Sequence, residues 1–142
     1  MIIVSACLLG INCRWDGQNS LEKKLFKYLP DLIPVCPEQL GGLPTPRAQA
    51  QIAGGNGFDV LDGKTIVKNT LKDVTKEFLT GAQSVLRIAE IYKIRKAILK
   101  EGSPSCGVHR IHYNKSIING MGVTAAILLQ KGLIVVSTED LE

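Results

Sequence analysis

Three short apolar runs in this chain each stop at a turn carrying a cysteine, and that repeated ending limits the folds open to it. Ile2-Ile3-Val4 runs into Ser5-Ala6-Cys7, and Leu32-Ile33-Pro34-Val35 runs into Cys36-Pro37-Glu38. Ala97-Ile98-Leu99 runs into Lys100-Glu101-Gly102-Ser103-Pro104-Ser105-Cys106-Gly107. Short continuous apolar runs bounded by turn residues suit strands buried on both faces of a sheet. In an open parallel sheet, ligands bind outside the carboxyl ends of the strands. Thiols far apart in sequence would then meet in one crevice.

The segments between these runs support a layered arrangement. Leu21–Leu29 has a helical pattern, with Leu21, Leu25, Phe26 and Leu29 on one face and Pro30 as a stop. A long helix is expected from about Asp73 to Tyr92, with Val74, Phe78, Ala82, Val85, Leu86 and Ala89 as its apolar stripe and Gly81 for close packing. Val123–Gln130 reads as an apolar helix ended by Gly132, Leu133–Val136 as a last strand, and Ser137–Asp140 as the start of a short helix. Residues 48–57 are expected at the surface. Phe58-Asp59-Val60-Leu61 and Lys64-Thr65-Ile66-Val67, joined by Asp62-Gly63, read as a small hairpin. Strands alternating with helices predict one α/β domain over residues 1–142, a three-layer α/β/α sandwich with a mainly parallel, Rossmann-like sheet.

Composition removes several classes of function. With 45% hydrophobic and 21% charged residues, the chain can bury a core. It has no apolar run near the ~20 residues that cross a bilayer and no basic leader, so no membrane partner is expected and the cytoplasm is the expected location. The formal charge of +4 tolerates an anionic partner without specifying one. Lys23-Lys24 and the scattered Lys93, Arg95, Lys96 and Lys100 are expected on solvated faces. G-x-G-x-x-G, G-x-x-x-x-G-K-[ST] and G-x-S-x-G are absent, so dinucleotide, phosphate-loop and serine-elbow readings have no support.

What remains is thiol chemistry. Four cysteines in a chain of 142 residues are too few for a secreted disulfide scaffold. Cysteines beside Gly, Pro and Ser in a reducing compartment point to catalysis or metal binding. Cys7 and Cys13 are too far apart for a zinc knuckle. Arg14 can balance negative charge near a thiolate; Trp15 is expected to plug the core, with a stacking wall as the alternative. Residues 36–47 form a Gly/Pro-rich loop that carries Glu38, two positions past a thiol and suited to general acid/base work, and Arg47, a candidate anion binder. In the turn before Cys106, Ser103 and Ser105 or successive N–H groups could face an anion. His109 and His112 are expected to be ordinary polar side chains, with metal ligation conceivable.

Three thiolates could hold zinc, with Cys13, His109 or His112 as fourth ligand. They could equally hold an iron–sulfur cluster with one iron left open, a Lewis acid suited to a sulfur ligand. Spacing alone leaves both open.

The blocks Ser5-Ala6-Cys7-Leu8-Leu9-Gly10, Cys13-Arg14-Trp15-Asp16-Gly17, Val35-Cys36-Pro37-Glu38, Gly41–Arg47 and Lys100–Gly107 resemble the signature blocks of the bacterial family that includes the thiouracil desulfidases, the TudS-like proteins. Asp73-Val74-Thr75, Phe78 with Gly81-Ala82, and Gly122-Val123-Thr124 resemble it too. The resemblance implies a [4Fe-4S] cluster on Cys7, Cys36 and Cys106, with Cys13 as a possible fourth ligand or persulfide carrier. It implies Glu38 and Ser103 as acid/base and substrate-positioning groups, and a thiolated uracil that loses its sulfur as hydrosulfide. Gln51, where many relatives are acidic, and the Ile-rich Tyr113–Asn119 depart from the family pattern and bear on substrate choice. The same chemistry on thiolated uridine in tRNA, a zinc-bearing domain and a non-catalytic thiol or cluster sensor are the competing expectations.

Overall fold

The computed structural model describes residues 1–142. In chain order the strands are β1 (Ile2–Ser5), β2 (Leu32–Val35), β3 (Gln51–Ile52), β4 (Val67–Lys68), β5 (Lys96–Leu99), β6 (Arg110–Tyr113), β7 (Ser116–Asn119) and β8 (Ile134–Ser137). The α-helices are α1 (Pro37–Leu40), α2 (Gly57–Leu61), α3 (Thr75–Tyr92) and α4 (Val123–Gln130). Tighter 3-10 turns cover Ala6–Leu9, Lys23–Tyr28 and Thr138–Asp140.

Four strands make one parallel sheet in the order β2-β1-β5-β8. From β1 the chain steps outward to β2, then crosses back over β1 to β5. That reversal puts a topological switch point between β1 and β5, the place where such sheets open a crevice at their carboxyl ends. The expected mixed α/β fold with a parallel central sheet is the one observed. Two small antiparallel pairs lie outside it: β3 with β4, and the hairpin β6–β7.

Alternate strand residues face opposite sides. Ile3, Val35, Ala97 and Leu99 join Phe78, Ala82, Val85 and Ala89 of α3 and Val123, Ala125 and Leu128 of α4 in a buried cluster of 21 residues. Val4, Leu32 and Ile98 point the other way, into a cluster of eight with Cys7, Leu8, Cys13 and Leu25. α4 spans the residues expected, and its first six residues, Val123 to Leu128, are buried on every side against α3, α2 and the sheet. α3 begins two residues after its expected start, with Val74 as its N-cap.

Three local expectations are corrected. Phe58–Leu61 is helical, not a strand. Asn56 accepts from the Phe58 and Asp59 N–H groups, and Asp59 accepts from the Asn56 N–H, a reciprocal cap that starts α2. The segment 48–57 is not all surface: Ala50 and Ile52 are buried in the larger cluster, and β3 pairs with β4. Leu21–Leu29 forms no α-helix. Bonds such as Leu25 N–H to Glu22 O and Leu29 N–H to Phe26 O are the tighter i→i−3 kind, and of the four apolar residues only Leu25 is buried.

Candidate active site

A pocket of about 240 Å³ opens at the carboxyl ends of β1, β2 and β5. Its lining includes Cys7, Cys13, Cys36 and Cys106 together with Glu38, Arg47, Lys100 and Ser103. Thiols from three strand exits therefore share one cavity at the switch point. Lys100 N–H donates to Ser5 Oγ at 2.9 Å, which ties the exits of β5 and β1 together.

Cys36 is the residue before α1, and Pro37 occupies the first helical position, where its missing N–H costs nothing. α1 is held by backbone contact with α3. A Cβ on Gly81 would lie 1.9 Å from the Pro37 carbonyl oxygen, and one on Gly41 would lie 2.0 Å from the Glu77 carbonyl oxygen. No side chain fits between the two helices, so glycine at both positions fixes the height of Cys36 and Glu38. The expected close packing at Gly81 is thus observed, and its partner is the backbone of the site.

Glu38 is not an exposed loop carboxylate; its side chain is 16% exposed and pairs with Arg47 Nε at 3.3 Å. Arg47, 4% exposed, donates also to Thr45 Oγ1 at 2.9 Å and to the Cys13 carbonyl at 3.0 Å. One guanidinium therefore joins the loop after β1 to the loop after β2. Trp15, expected as a core plug, lines the pocket and is 39% exposed, so the alternative of a wall is the observed one.

The turn that carries Cys106 is braced from within. Ser103 Oγ accepts the N–H groups of Ser105 and Cys106 at 3.0 and 3.1 Å. The carbonyls of Pro104 and Ser105 accept the Val123 and Thr124 N–H groups, satisfying donors that a helix start leaves open. Buried Ser105 and Thr124 share a hydroxyl contact of 2.9 Å. The expectation that successive N–H groups of this turn face an anion is corrected. Those of Ser105 and Cys106 serve Ser103, and the next row, Val108, His109 and Arg110, donates to the Glu101 carboxylate at 2.8–3.2 Å. The nest exists, but the chain's own carboxylate fills it.

The four cysteines are free thiols. Cys36 Sγ–H donates to the Cys13 carbonyl oxygen at 3.6 Å. The Cys36 thiol, the largest influence on the Cys13 thiol, lowers its pKa; the Cys7 thiol, burial and the Cys7 charge outweigh this and raise it to about 11. The Cys36 thiol is pushed far up, first by its hydrogen bond with Cys13 and then by burial. Burial is the main reason that Cys106 is raised to about 12, with the charges of Cys36 and Glu38 adding to it. Arg47 works against the rise at Cys13 and Cys36. Several negative sulfurs in this space repel one another unless a cationic group lies among them.

No three His, Cys, Asp or Glu side chains gather closely enough to hold a single metal ion. Zinc would need its sulfurs within ~2.3 Å of one centre. His109 is turned to Asp140, at 2.9 Å, and to Glu101, at 3.9 Å; His112 lines the pocket. Gln49, Lys100, His112 and Ile117 also line the pocket. Sequence reasoning offered His112 as a conceivable metal ligand, held Lys100 within the Lys100–Gly107 block and marked Ile117 only as part of the Ile-rich segment Tyr113–Asn119; Gln49 it did not single out.

A parallel α/β sheet with free thiols at three strand exits, opening on one pocket with a carboxylate–guanidinium pair, defines a thiol-lined site at a topological switch point. The 2-thiouracil desulfurase family matches residues 2–140, and the chain belongs to that family. It is 43% identical over 147 residues to the uncharacterized protein YbbK of Bacillus subtilis (strain 168), covering 99% of this chain and 97% of that protein. Among solved structures it resembles TudS, a [4Fe-4S]-dependent thiouracil desulfidase, with a TM-score of 0.87 and 39% identity over 99% of this chain and 91% of the other. No helix is long and apolar enough to cross a membrane.

Proposed function

We propose that this chain removes the sulfur of a thiolated uracil, 2- or 4-thiouracil or a related base, as hydrosulfide, using a [4Fe-4S] cluster held by Cys7, Cys36 and Cys106. The observation that carries this reading is the convergence of those three thiols with Glu38 and Ser103 on one pocket. The donor set fits the group. No three of the free thiols and their neighbours are arranged to hold one ion, whereas a cluster takes each thiolate at a different iron. The mutual repulsion of their charged forms is what a cationic core would relieve. When bound, a cluster with three protein ligands supplies an open iron, a Lewis acid matched to a sulfur atom.

The chain's own residues supply the rest. Arg47 holds the Glu38 carboxylate in one orientation, as an acceptor for a proton of the attacking water. Ser103 Oγ already accepts two N–H groups, so its hydroxyl hydrogen is left to donate to a ring carbonyl or nitrogen. Trp15 offers a flat apolar surface at the pocket wall. The Cys13 carbonyl accepts from both the Cys36 thiol and Arg47; this supports a role for Cys13 beside the ligands rather than among them. The overall change is hydrolytic: the oxygen of water replaces sulfur on carbon, hydrosulfide leaves, and no external electron enters.

The test is anaerobic turnover of 2-thiouracil and 4-thiouracil, followed by the appearance of uracil and hydrosulfide. Glu38→Gln is expected to keep its iron and lose activity by about 10²–10⁴-fold, the usual contribution of a positioned acid/base group. Full activity in that variant removes Glu38 from the mechanism. Failure of the iron-loaded protein to convert either base overturns the function.

A further inference from the structure

We propose that the β6–β7 hairpin is the substrate-selecting wall of the pocket, with Ile117 as the side chain that meets the pyrimidine ring and the Gln51–Asn114 pair as the latch that holds the hairpin tip. This rests on the function proposed above. Most apolar groups of the pocket lining, such as Ala6, Val35 and Ala50, are buried in the floor. Trp15 and Ile117 are the large ones that line the cavity while remaining 39% and 53% exposed, which sets them at its mouth.

Ile117 reaches the site from a part of the chain the sheet does not contain. Every residue of β7 is exposed, so no core packing sets its position. The Ile117 Cδ1 atom lies 3.9 Å from where a Cβ on Gly102 would stand, directly before Ser103 and the turn that carries Cys106. Its cross-strand partner is His112, and the two line the pocket together. Directly opposed residues of an antiparallel pair share a face, so this face of the hairpin is turned to the cavity.

The hairpin is pinned at both ends. At its base, Gly102 N–H donates to the Arg110 carbonyl at 3.1 Å and His112 N–H donates to the Gly102 carbonyl at 2.8 Å. At its tip, Asn114 has a φ of 54°. There Asn114 N–H donates to Gln51 Oε1 at 2.6 Å, and Gln51 Nε2 donates to Asn114 Oδ1 at 3.1 Å. Gln51 opens β3, next to the lining residues Gln49 and Ala50. A side chain that costs exposed apolar surface in the free protein, held in place from two sides, regains that surface when a flat ring covers it.

Trp15 is the single tryptophan, so its fluorescence reports on the pocket. Uracil is the probe, because it keeps the pyrimidine ring but has no sulfur to lose and so does not turn over. Ile117→Ala is expected to raise the uracil Kd, and the KM for 2-thiouracil, by roughly fivefold, with kcat and bound iron unchanged. Ile117→Leu restores most of the affinity. Gln51→Ala raises both constants by roughly twofold, and Gln51→Glu, which keeps an acceptor for the Asn114 N–H, recovers part of the loss. An unchanged Kd and KM in Ile117→Ala, or a fall in kcat alone, overturns the assignment while leaving the desulfidase function standing. If uracil does not bind the unaltered protein and neither thiouracil is converted, this inference falls together with the function.

Discussion

The two faces of the sheet are built to different standards, and the thiols are shared unequally between them. One face carries α3 and α4 over a cluster of 21 buried residues that includes Cys106. The other is covered by the 3-10 turns Ala6–Leu9 and Lys23–Tyr28 and holds a cluster of eight that includes Cys7 and Cys13, with Cys36 packed against it. Three of the four thiols thus hang on the thinner face. The thick face supplies most of the stability and, through the close contact of Gly81 with Pro37, the height of Cys36; the thin face packs around Cys7 and Cys13. A site suspended between unequal cores responds differently to damage on each side.

Substitutions on the two faces separate these roles. Phe78→Ala, in α3, is expected to cost about 3–5 kcal/mol in denaturant unfolding, since a large side chain is removed from a packed interior. Iron retained per folded molecule should stay close to that of the parent. Leu25→Ala, on the thin face, is expected to cost about 2–4 kcal/mol and to lower the iron retained by the molecules that remain folded. Equal iron loss in both variants would end the distinction between the faces.

The smallest effect lies at the seam between the Cys106 turn and the C-terminal turn. The hydrogen bond from Asp140, followed by its charge, raises the His109 pKa above the ordinary value, while burial opposes the rise. Backbone donation from Ser137, then the His109 bond, lowers the pKa of Asp140. For His109 the folded value is the higher one, so its contribution is complete below the unfolded pKa and is lost as pH rises through the folded one. For Asp140 the folded value is the lower one, so its contribution holds above the unfolded pKa and is lost as pH falls through the folded one. Both ring and carboxylate lie near solvent, so the gain is small. In an NMR titration His109 should titrate above the ordinary histidine range, and Asp140→Asn should bring it back. A His109 titration that Asp140→Asn leaves in place would show that the pair is not formed.

The sequence exposed the parts whose signal is local. The apolar runs of β1, β2 and β5 and the stripe of α3 show in periodicity, and the cysteines at the strand exits follow from them. α4 was legible to the residue because Gly122 and Gly132 bracket it. Phe58–Leu61 was not, because the deciding signal was a side-chain cap at Asn56 and not its apolar pattern. The burial of Ala50 and Ile52 depends on pairing with β4, across a stretch that looks like surface. The role of Arg47 as a tie between two loops was half visible: its type suggested an anion, but its hold on the Cys13 carbonyl depends on the fold. Ile117 was marked only through the family pattern of Tyr113–Asn119, since nothing local brings an exposed strand residue to a distant turn.

The central claim is that three particular thiols, one from each strand exit, hold the cluster and the fourth does not. The direct measurement is iron and sulfide content, with the visible spectrum, for anaerobically prepared Cys7→Ser, Cys13→Ser, Cys36→Ser and Cys106→Ser. The account predicts that the parent and Cys13→Ser are brown, with a full complement of iron and sulfide. The other three should lose the cluster while keeping the fold. A colourless parent that takes up stoichiometric zinc, or a Cys13→Ser protein that loses its iron as completely as Cys7→Ser does, would contradict it.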